Sequence, residues 1–385
     1  MGKYSTVMKT LESEISRYEF QEAVDFYHGD KHVRRFSTKD LFSCVLYGQV
    51  TNSFSIREME HGLAANRNRL YHAGLSEIKR STFADALAKR DYRMFSRLFE
   101  NLREKALMIA GTRGRKFKTP LKCIDATTIE VNVNRFPWAK FRQTKGGMKL
   151  HMSYDPDLAL PDQMFFTDGK VADINRLSSF SVKEGEIQVF DRGYCDYKSL
   201  YDIELCNGLF VTRLKKNACY EIEKVFYESD TSPVRRDMAI VFTQAKAKEA
   251  YPKALRLVEY FDSEKQRYFF FLTNDFSNAP AEIAGIYKTR WEIELFFKWL
   301  KQNLKIKTFW GTSRNAVLIQ IWIALIMYLL IWILKAKNSI DFSLQRIRQI
   351  LKTTIFDRKP IEWLFRPPPL ELQPVKEYYL FEAIS

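Results

Sequence analysis

The stretch from residue 287 to residue 301 reads Tyr287-Lys-Thr-Arg290-Trp-Glu-Ile-Glu294-Leu-Phe-Phe-Lys-Trp-Leu-Lys301. In a helix its tyrosine, arginine, second glutamate and last lysine fall on one stripe about 60° wide, because successive residues turn by about 100°. Glu292 points elsewhere and is the poorer ligand. The ordinary alternative is a surface helix with an i,i+4 pair between Arg290 and Glu294. Alignment of all four side chains favours a phosphate site beside a carboxylate, since arginine and lysine bind phosphate oxygens.

Two aspartates follow predicted strands earlier in the chain. Asp125 ends the run that begins at Leu121, and Asp191 ends the run that begins at Ile187. With Glu294 they form a set of three carboxylates, the ligands that hard divalent cations prefer, and two such ions can activate water or a 3′ hydroxyl at a phosphodiester. Aspartates at strand ends also occur in ordinary turns, so the three acids alone do not distinguish a metal site from turns.

The spacing Tyr-x2-Arg-x3-Glu-x6-Lys resembles the signature of the DDE transposases of insertion sequence family four. Asp125-Ala-Thr-Thr resembles the family's first aspartate motif, and Asp191-Arg-Gly-Tyr resembles its second. The separations of 66 and 103 residues between the acids fit a family whose second gap holds a β insertion. The resemblance implies an α/β fold: a ribonuclease-H-like mixed-sheet core with a β-rich insertion, plus helical N- and C-terminal regions.

The same resemblance implies roles for the site residues. Asp125, Asp191 and Glu294 are expected to be catalytic and to bind two Mg²⁺ ions, for which Mn²⁺ can substitute. The residues expected to contact DNA are Tyr287, Arg290, Lys301, Arg192 and Tyr194.

The implied activity is excision of an insertion sequence and its joining to target DNA. Water nicks one strand, and the freed 3′ hydroxyl attacks the other strand to give a hairpin, which is later reopened. In relatives a flipped base at the hairpin stacks on an aromatic of the insertion, often tryptophan. No tryptophan lies between Trp138 and Trp291, so that role falls to a residue such as Tyr220, Phe226 or Tyr227, or is absent.

The implied partner is double-stranded DNA, as terminal inverted repeats and as target, bound by a homodimer. The net charge of +15 agrees, because a large cationic surplus favours a polyanion. Residues 1–120 carry 22 Lys and Arg against 14 Asp and Glu, so the N-terminal region is expected to bind the DNA backbone. The five cysteines include no Cys-x-x-Cys pair, which favours reduced, buried thiols. The N-terminus has no apolar signal, which favours a cytoplasmic, nucleoid-associated protein without membrane attachment.

One segment points to a different class of protein. In residues 316–334 only Gln320 is strongly polar, and nineteen residues at about 1.5 Å each can cross a bilayer. A helix that is apolar all round is buried either in protein or in lipid. We therefore expect a central core helix and keep a membrane-attached basic protein as a rival. A second rival is a catalytically silent relative that binds the element's ends.

The patterns predict five segments along the chain. Within the first two segments, Ser37-Thr-Lys-Asp40 resembles a capping box and Ser81-Thr82 can cap a helix. The helices of the connector either enter a DNA groove or pack as a bundle. The segments are a helical DNA-binding domain (1–70), a helical connector (71–115), the ribonuclease-H-like core (116–214 and 281–337), a β insertion subdomain (215–280) and a helical C-terminal region that can carry dimer contacts (338–385).

A basic, glycine-bearing loop precedes one predicted strand. Lys145-Gly-Gly-Met-Lys149, with Arg135, Lys140 and Arg142 upstream, either follows a DNA backbone or is an ordinary solvated loop. We expect the nearby strand residue His151 to be structural.

Overall fold

The computed structural model describes residues 4–111, 116–117, 119–140 and 146–366. The helices within these ranges are α1 (Val7–Glu12), α2 (Arg17–Phe26), α3 (Thr38–Thr51), α4 (Ile56–Ala65), α5 (Arg67–Ala73), α6 (Arg80–Lys89), α7 (Arg93–Ala110), α8 (Tyr197–Leu205), α9 (Ala245–Ala250), α10 (Pro280–Lys288), α11 (Trp291–Asn303), α12 (Arg314–Lys337), α13 (Leu344–Thr354) and α14 (Ile361–Phe365). The strands are β1 (Leu121–Val131), β2 (Gly146–Asp155), β3 (Leu160–Asp168), β4 (Ile187–Phe190), β5 (Leu209–Arg213), β6 (Tyr220–Glu228), β7 (Val234–Phe242), β8 (Leu255–Asp262) and β9 (Arg267–Thr273).

All nine strands form one mixed sheet in the order β3-β2-β1-β4-β5-β9-β8-β7-β6. Strands β1, β4 and β5 are parallel, and β2 and β3 continue the sheet antiparallel from β1. Alternate side chains of β1 enter different clusters: Cys123 packs on the face that α11 and α12 cover, and Ile124 on the face that α8 and α9 cover. The expected ribonuclease-H-like mixed-sheet core, with helical regions before and after it, is confirmed.

The β-rich segment 215–280 differs from the separate subdomain that we expected. Its strands β6 to β9 extend the core sheet, because β9 pairs antiparallel with β5 through Val211 opposite Thr273. The unpaired edge of β5 would otherwise expose backbone hydrogen-bonding groups, and β9 satisfies them. The insertion therefore continues the core sheet beyond β5.

Helix α12 is the central helix of the molecule. Among the described residues it is the helix long and apolar enough to cross a membrane, but it lies buried against α3, α6 and α7. At its far end the Tyr328 hydroxyl donates to the Ala159 carbonyl at 2.6 Å, and the Trp332 indole donates to the Leu158 carbonyl at 3.0 Å. Its apolar surface is thus satisfied by protein, as a core helix requires, and one hydrophobic cluster joins the N-terminal helices to the sheet.

Two buried glutamines connect the N-terminal region to the catalytic region. The Gln49 side-chain oxygen on α3 accepts a bond from the Lys305 backbone N–H at 2.8 Å. The Gln320 amide on α12 donates to the carbonyls of Lys305 at 2.6 Å and Thr308 at 2.8 Å, and its oxygen accepts from the Trp310 N–H at 3.1 Å. The loop 304–310 is fixed by these bonds, since backbone groups buried away from water need partners.

Local predictions had mixed outcomes. The capping box of Ser37 and Asp40 is confirmed, with reciprocal hydrogen bonds at the start of α3. The cap at Ser81 is wrong, because α6 begins one residue earlier, at Arg80, without a side-chain cap. Of the five free thiols, three are buried, whereas Cys206 and Cys219 are exposed rather than buried as expected.

The stretch from Tyr287 to Lys301, which the sequence analysis treats as one helix, is divided between two helices. A turn at Thr289 and Arg290 separates α10 from α11, although both residues keep helical dihedral angles. The chain direction therefore changes little at the break. The basic-loop residues Arg142 and Lys145, part of the predicted connector boundary near 115, and the end of the C-terminal region (367–385) lie outside the described residues.

Replacing Gln320 with leucine tests the buried amide network. Gln320→Leu leaves the Trp310 N–H and the Lys305 and Thr308 carbonyls without this partner, so we expect the free energy of unfolding to fall by about 2–4 kcal/mol. Chemical denaturation measures the change. Ile321→Val, on the same buried helix, is the matched control and should cost only about 1 kcal/mol. Equal losses in the two variants would contradict a structural role for the network.

Candidate active site

The parallel pairing of β1 with β4 places two of the three acids side by side. Ile124 pairs with Phe190, so Asp125 and Asp191 follow directly on neighbouring strands, which lie about 5 Å apart in a sheet. Asp125 does not end its strand as expected, because β1 continues to Val131 against β2. Asp191 directly follows the last residue of β4, as expected. It caps a short 3-10 helix by accepting a hydrogen bond from the Gly193 N–H at 2.9 Å.

The third acid arrives from the other end of the chain on α11. The Cys123 thiol donates to the Thr289 carbonyl at 3.3 Å, which holds the turn between α10 and α11 against β1. The apolar face of α11 packs on the sheet, where the Phe296 ring stacks on Tyr154 with 4.8 Å between centroids. Glu294 and Asp125 then line the same open cavity of about 410 Å³.

Arginines neutralise two of the acids. Arg290 is buried and lies 2.6 Å from Glu294, and Arg213 at the end of β5 lies 2.6 Å from Asp191. Both guanidinium groups also lie 5.8 Å from the Tyr287 ring, which packs between them on Phe271. The i,i+4 pair of Arg290 and Glu294, considered above as the ordinary alternative, is therefore present, and it is part of a larger cluster of acids and cations.

The pKa values follow from burial and from these partners. Burial raises the pKa of Asp125 to about 6, and the charges of Glu294 and Asp191 add to the increase, while the Ala126 N–H and Arg290 oppose it. Burial also acts on Asp191, but the Gly193 N–H and Arg213 outweigh it, so that the pKa of Asp191 lies below its usual value. Asp125 thus responds to the charges of both other acids, and of the two aspartates it is the one whose burial is not outweighed by its partners.

Arg213 is a site residue that the sequence interpretation missed. It ends β5, which runs parallel to β4, so its side chain emerges at the same sheet edge as Asp191. The sequence does carry a signal for it: the apolar run 209–211 is typical of a strand and is followed closely by Arg213, and the carboxyl ends of adjacent parallel strands meet at one edge of a sheet.

The other predicted DNA contacts lie in different environments. Lys301 is half-buried and lines the same cavity as Asp125 and Glu294. Arg192 is half-buried directly after Asp191. Tyr194 is only 2% exposed and packs against Phe190 in the cluster below α8. A direct DNA contact by Tyr194 therefore does not fit this position.

A second cavity adjoins the cluster on the insertion side. It measures about 490 Å³ and lies between the β8–β9 hairpin and the α10–α11 turn, with Arg213, Tyr287 and Arg290 in its wall. Trp291, 49% exposed, also faces it. The aromatic residues that we expected to stack on a flipped base, Tyr220, Phe226 and Tyr227, lie on edge strand β6. That strand is four spacings, about 19 Å, from β5, and none of the three aromatic residues lines this cavity.

The donor set fits a hard divalent cation, since all three acids supply carboxylate oxygens and share one sheet edge. The described residues contain no group of three acid, histidine or cysteine side chains gathered closely around one point. Glu294 and Asp191 are ion-paired with Arg290 and Arg213, so a metal ion held by these acids would have to replace both arginines.

Comparisons with known proteins show the family of this chain. Residues 116–330 match the model of the family described as "Transposase DDE domain". The chain belongs to the DDE transposase family. Residues 3–76 of the transposase also match a family described as a domain of unknown function.

Full-length relatives place the transposase among those of insertion sequences, in the group expected. It is 29% identical over 375 residues to the probable transposase for insertion sequence element IS5377 of Geobacillus stearothermophilus, which covers 94% of both chains. It is also 33% identical over 291 residues to the y4zB protein of Sinorhizobium fredii, described as a transposase, covering 74% of this chain and 80% of that one. Its fold resembles the piggyBac transposase in a synaptic complex with hairpin DNA, at 11% identity and a TM-score of 0.50, covering 98% of this chain and 84% of that chain.

Neutralising each aspartate should change stability in opposite directions. Between pH about 4 and 6 an aspartate with a raised folded-state pKa loses stabilisation as pH rises, because the native state holds its proton longer than the unfolded chain. Asp125→Asn removes the buried charge and should therefore raise the free energy of unfolding at pH 7.5, in EDTA, by about 1–2 kcal/mol.

Asp191→Asn is the matched comparison. It weakens the Arg213 pair, which is partly exposed, and should lower the free energy of unfolding by about 1 kcal/mol or less. Denaturation midpoints across pH 4–8 measure both effects. Destabilisation by Asp125→Asn throughout that range would contradict the raised pKa.

Proposed function

We propose that this chain is an Mg²⁺-dependent nuclease and strand transferase that excises an insertion sequence and joins it to target DNA. The observation that carries the proposal is the shared sheet edge of Asp125, Asp191 and Glu294 beside arginine and lysine side chains. We place it with the DNA of the cytoplasm, acting as a homodimer that holds two element ends.

Two Mg²⁺ ions would be held by Asp125, Asp191 and Glu294; when bound, they would lower the pKa of the attacking water and stabilise charge at the scissile phosphate. Lys301 lines the cavity that the acids face, so its ammonium group can bind a phosphate oxygen there. Arg290, released from Glu294, can present its planar guanidinium to a second oxygen. These cations hold the phosphate and disperse its negative charge, and they work best where water is excluded.

Substituting Glu294 tests the nuclease activity. Glu294→Gln keeps the size of the side chain but removes a metal-binding charge, so Mg²⁺-dependent nicking of a plasmid carrying the element's ends should fall by at least about a hundredfold. Gel analysis of nicked product measures the rate. The ends are taken from the DNA that flanks the gene.

Glu292→Gln is the control, because Glu292 is exposed on the same helix and belongs to no part of the acid cluster. It should nick at the wild-type rate. A wild-type protein that binds these ends tightly but never nicks them would instead be the catalytically silent relative.

The hairpin step is the finer part of the proposal. The cavity between the β8–β9 hairpin and α10 is large enough for a nucleotide base, and it opens beside the acid cluster. Trp291 is half-exposed at its wall, with the Arg290 guanidinium 5.1 Å from its ring centre. We assign the base-stacking role to Trp291, because it lines this cavity and the aromatic residues of β6 do not.

Removing the Trp291 ring should separate nicking from hairpin formation. Base stacking on an aromatic contributes about 1–3 kcal/mol, so Trp291→Ala should slow hairpin formation by about tenfold while nicking stays within about twofold. Denaturing gels resolve the two products. Trp291→Phe keeps a ring and should retain most of the hairpin rate; equal hairpin rates in wild type and Trp291→Ala would remove Trp291 from this role.

A further inference from the structure

We propose that a basic groove carries the DNA backbone from the acid cluster to the N-terminal helices, and that it ends at the exposed ring of Phe54. This inference rests on the proposed DNA transposase function. It adds a binding surface that crosses from the catalytic sheet to residues 54–80, outside the matched transposase domain.

Three cavities form the groove, and neighbouring cavities share residues. The first, about 410 Å³, holds Asp125 and Glu294 and extends to Lys307. The second, about 330 Å³, starts at Lys307 and extends to Arg135. The third, about 530 Å³, starts at Arg135 and reaches the first turns of α4 and α6. The shared side chains make the path continuous.

The groove wall is strongly cationic. Among the described residues, no carboxylate lies within ion-pairing distance of any of its six cations. Beyond the acid cluster, Glu130 is the acid in these walls. The six cations are Lys298, Lys301, Lys307, Arg135, Arg57 and Arg80.

The electrostatics of Lys301 agree with this excess of positive charge. Burial and then the charge of Lys307 lower the pKa of Lys301, and the charge of Glu130 acts in the opposite direction. Unbalanced positive charge along a path is the electrostatic footprint of a nucleic-acid backbone.

Two helix N-termini add positive potential at the far end. Arg57 lies in the first turn of α4 and Arg80 is the first residue of α6, and both line the third cavity. Cations in a first helical turn oppose the helix dipole, so these positions cost stability unless an anion binds. Glu58 is the acid in that turn of α4, and it accepts the Phe54 N–H at 2.6 Å. A phosphate between the two helices would satisfy both arginines and both dipoles.

Phe54 marks the end of the groove. Its ring is 75% exposed, which is unusual for a large apolar side chain, and the Lys305 ammonium group lies 3.9 Å from the ring centre. An aromatic ring among phosphate-binding cations can contact a sugar or a base without sequence preference. The groove therefore offers backbone contacts along its length and one apolar contact at its end.

The test measures DNA affinity against salt concentration. Arg57→Gln combined with Arg80→Gln removes two exposed cations, so the slope of log affinity against log salt should decrease by about 2, and affinity at 0.1 M salt should fall by about tenfold or more. The probe is a fluorescein-labelled 40-base-pair duplex of mixed sequence in EDTA, followed by anisotropy. Thermal melting checks that the variant folds.

The matched control is Lys246→Gln with Lys248→Gln, two exposed lysines on α9, on the opposite face of the sheet. This control should bind like wild type. Phe54→Ala should weaken binding by about fivefold without changing the salt slope, because an apolar contact releases no counterions.

Each result decides the proposal. Equal slopes and affinities for wild type and the Arg57/Arg80 variant would overturn the groove while plasmid nicking by wild type upholds the nuclease function. Equal loss in the Lys246/Lys248 control would also overturn it, because the effect would then be one of net charge. A wild-type protein that neither binds the duplex nor nicks plasmid DNA would overturn the groove and the proposed function together.

Discussion

The meeting of three carboxylates beside strands β1 and β4 is the constraint on which this site depends. Parallel pairing of β1 and β4 brings Asp125 and Asp191 together, and α11 adds Glu294. Burial raises the pKa of Asp125 to about 6, and the charges of Glu294 and Asp191 add to the increase. Arg290 and Arg213 pair with the other two acids and so reduce the cost of placing these charges together.

The position of the third acid depends on packing far from it. Glu294 sits at the sheet edge because Cys123 holds the α10–α11 turn and the apolar face of α11 covers the sheet. Helix α12 lies beneath and is shared with the N-terminal helices, so the two halves of the chain have one core. The buried amides of Gln49 and Gln320 fix the loop between α11 and α12, and this loop forms part of the groove wall. The acid cluster and the cationic groove are thereby joined through one core.

Continuation of the sheet gives the insertion its functional meaning. Because β9 pairs with β5, the β8–β9 hairpin lies next to Arg213. It forms one side of the cavity of about 490 Å³ that Trp291 also lines. A separate subdomain could have carried its aromatics anywhere relative to the acids. Here the strand order leaves the aromatics of β6 at the far edge of the sheet, whereas Trp291, at the start of α11, lines the cavity beside the acid cluster.

The sequence alone determined the class of fold and identified the candidate site residues. The acids, the four-residue signature around Glu294, the strand pattern and the apolar run of α12 could all be found there, because residue type and short-range periodicity are local properties. Which side chains meet was decided only by the tertiary structure. Strand order brought Arg213 to Asp191 and buried Tyr194, and helix packing decided that α12 lies in protein rather than lipid. The break between α10 and α11 and the joining of β9 to β5 depend on partners far along the chain, and no local pattern specifies those partners.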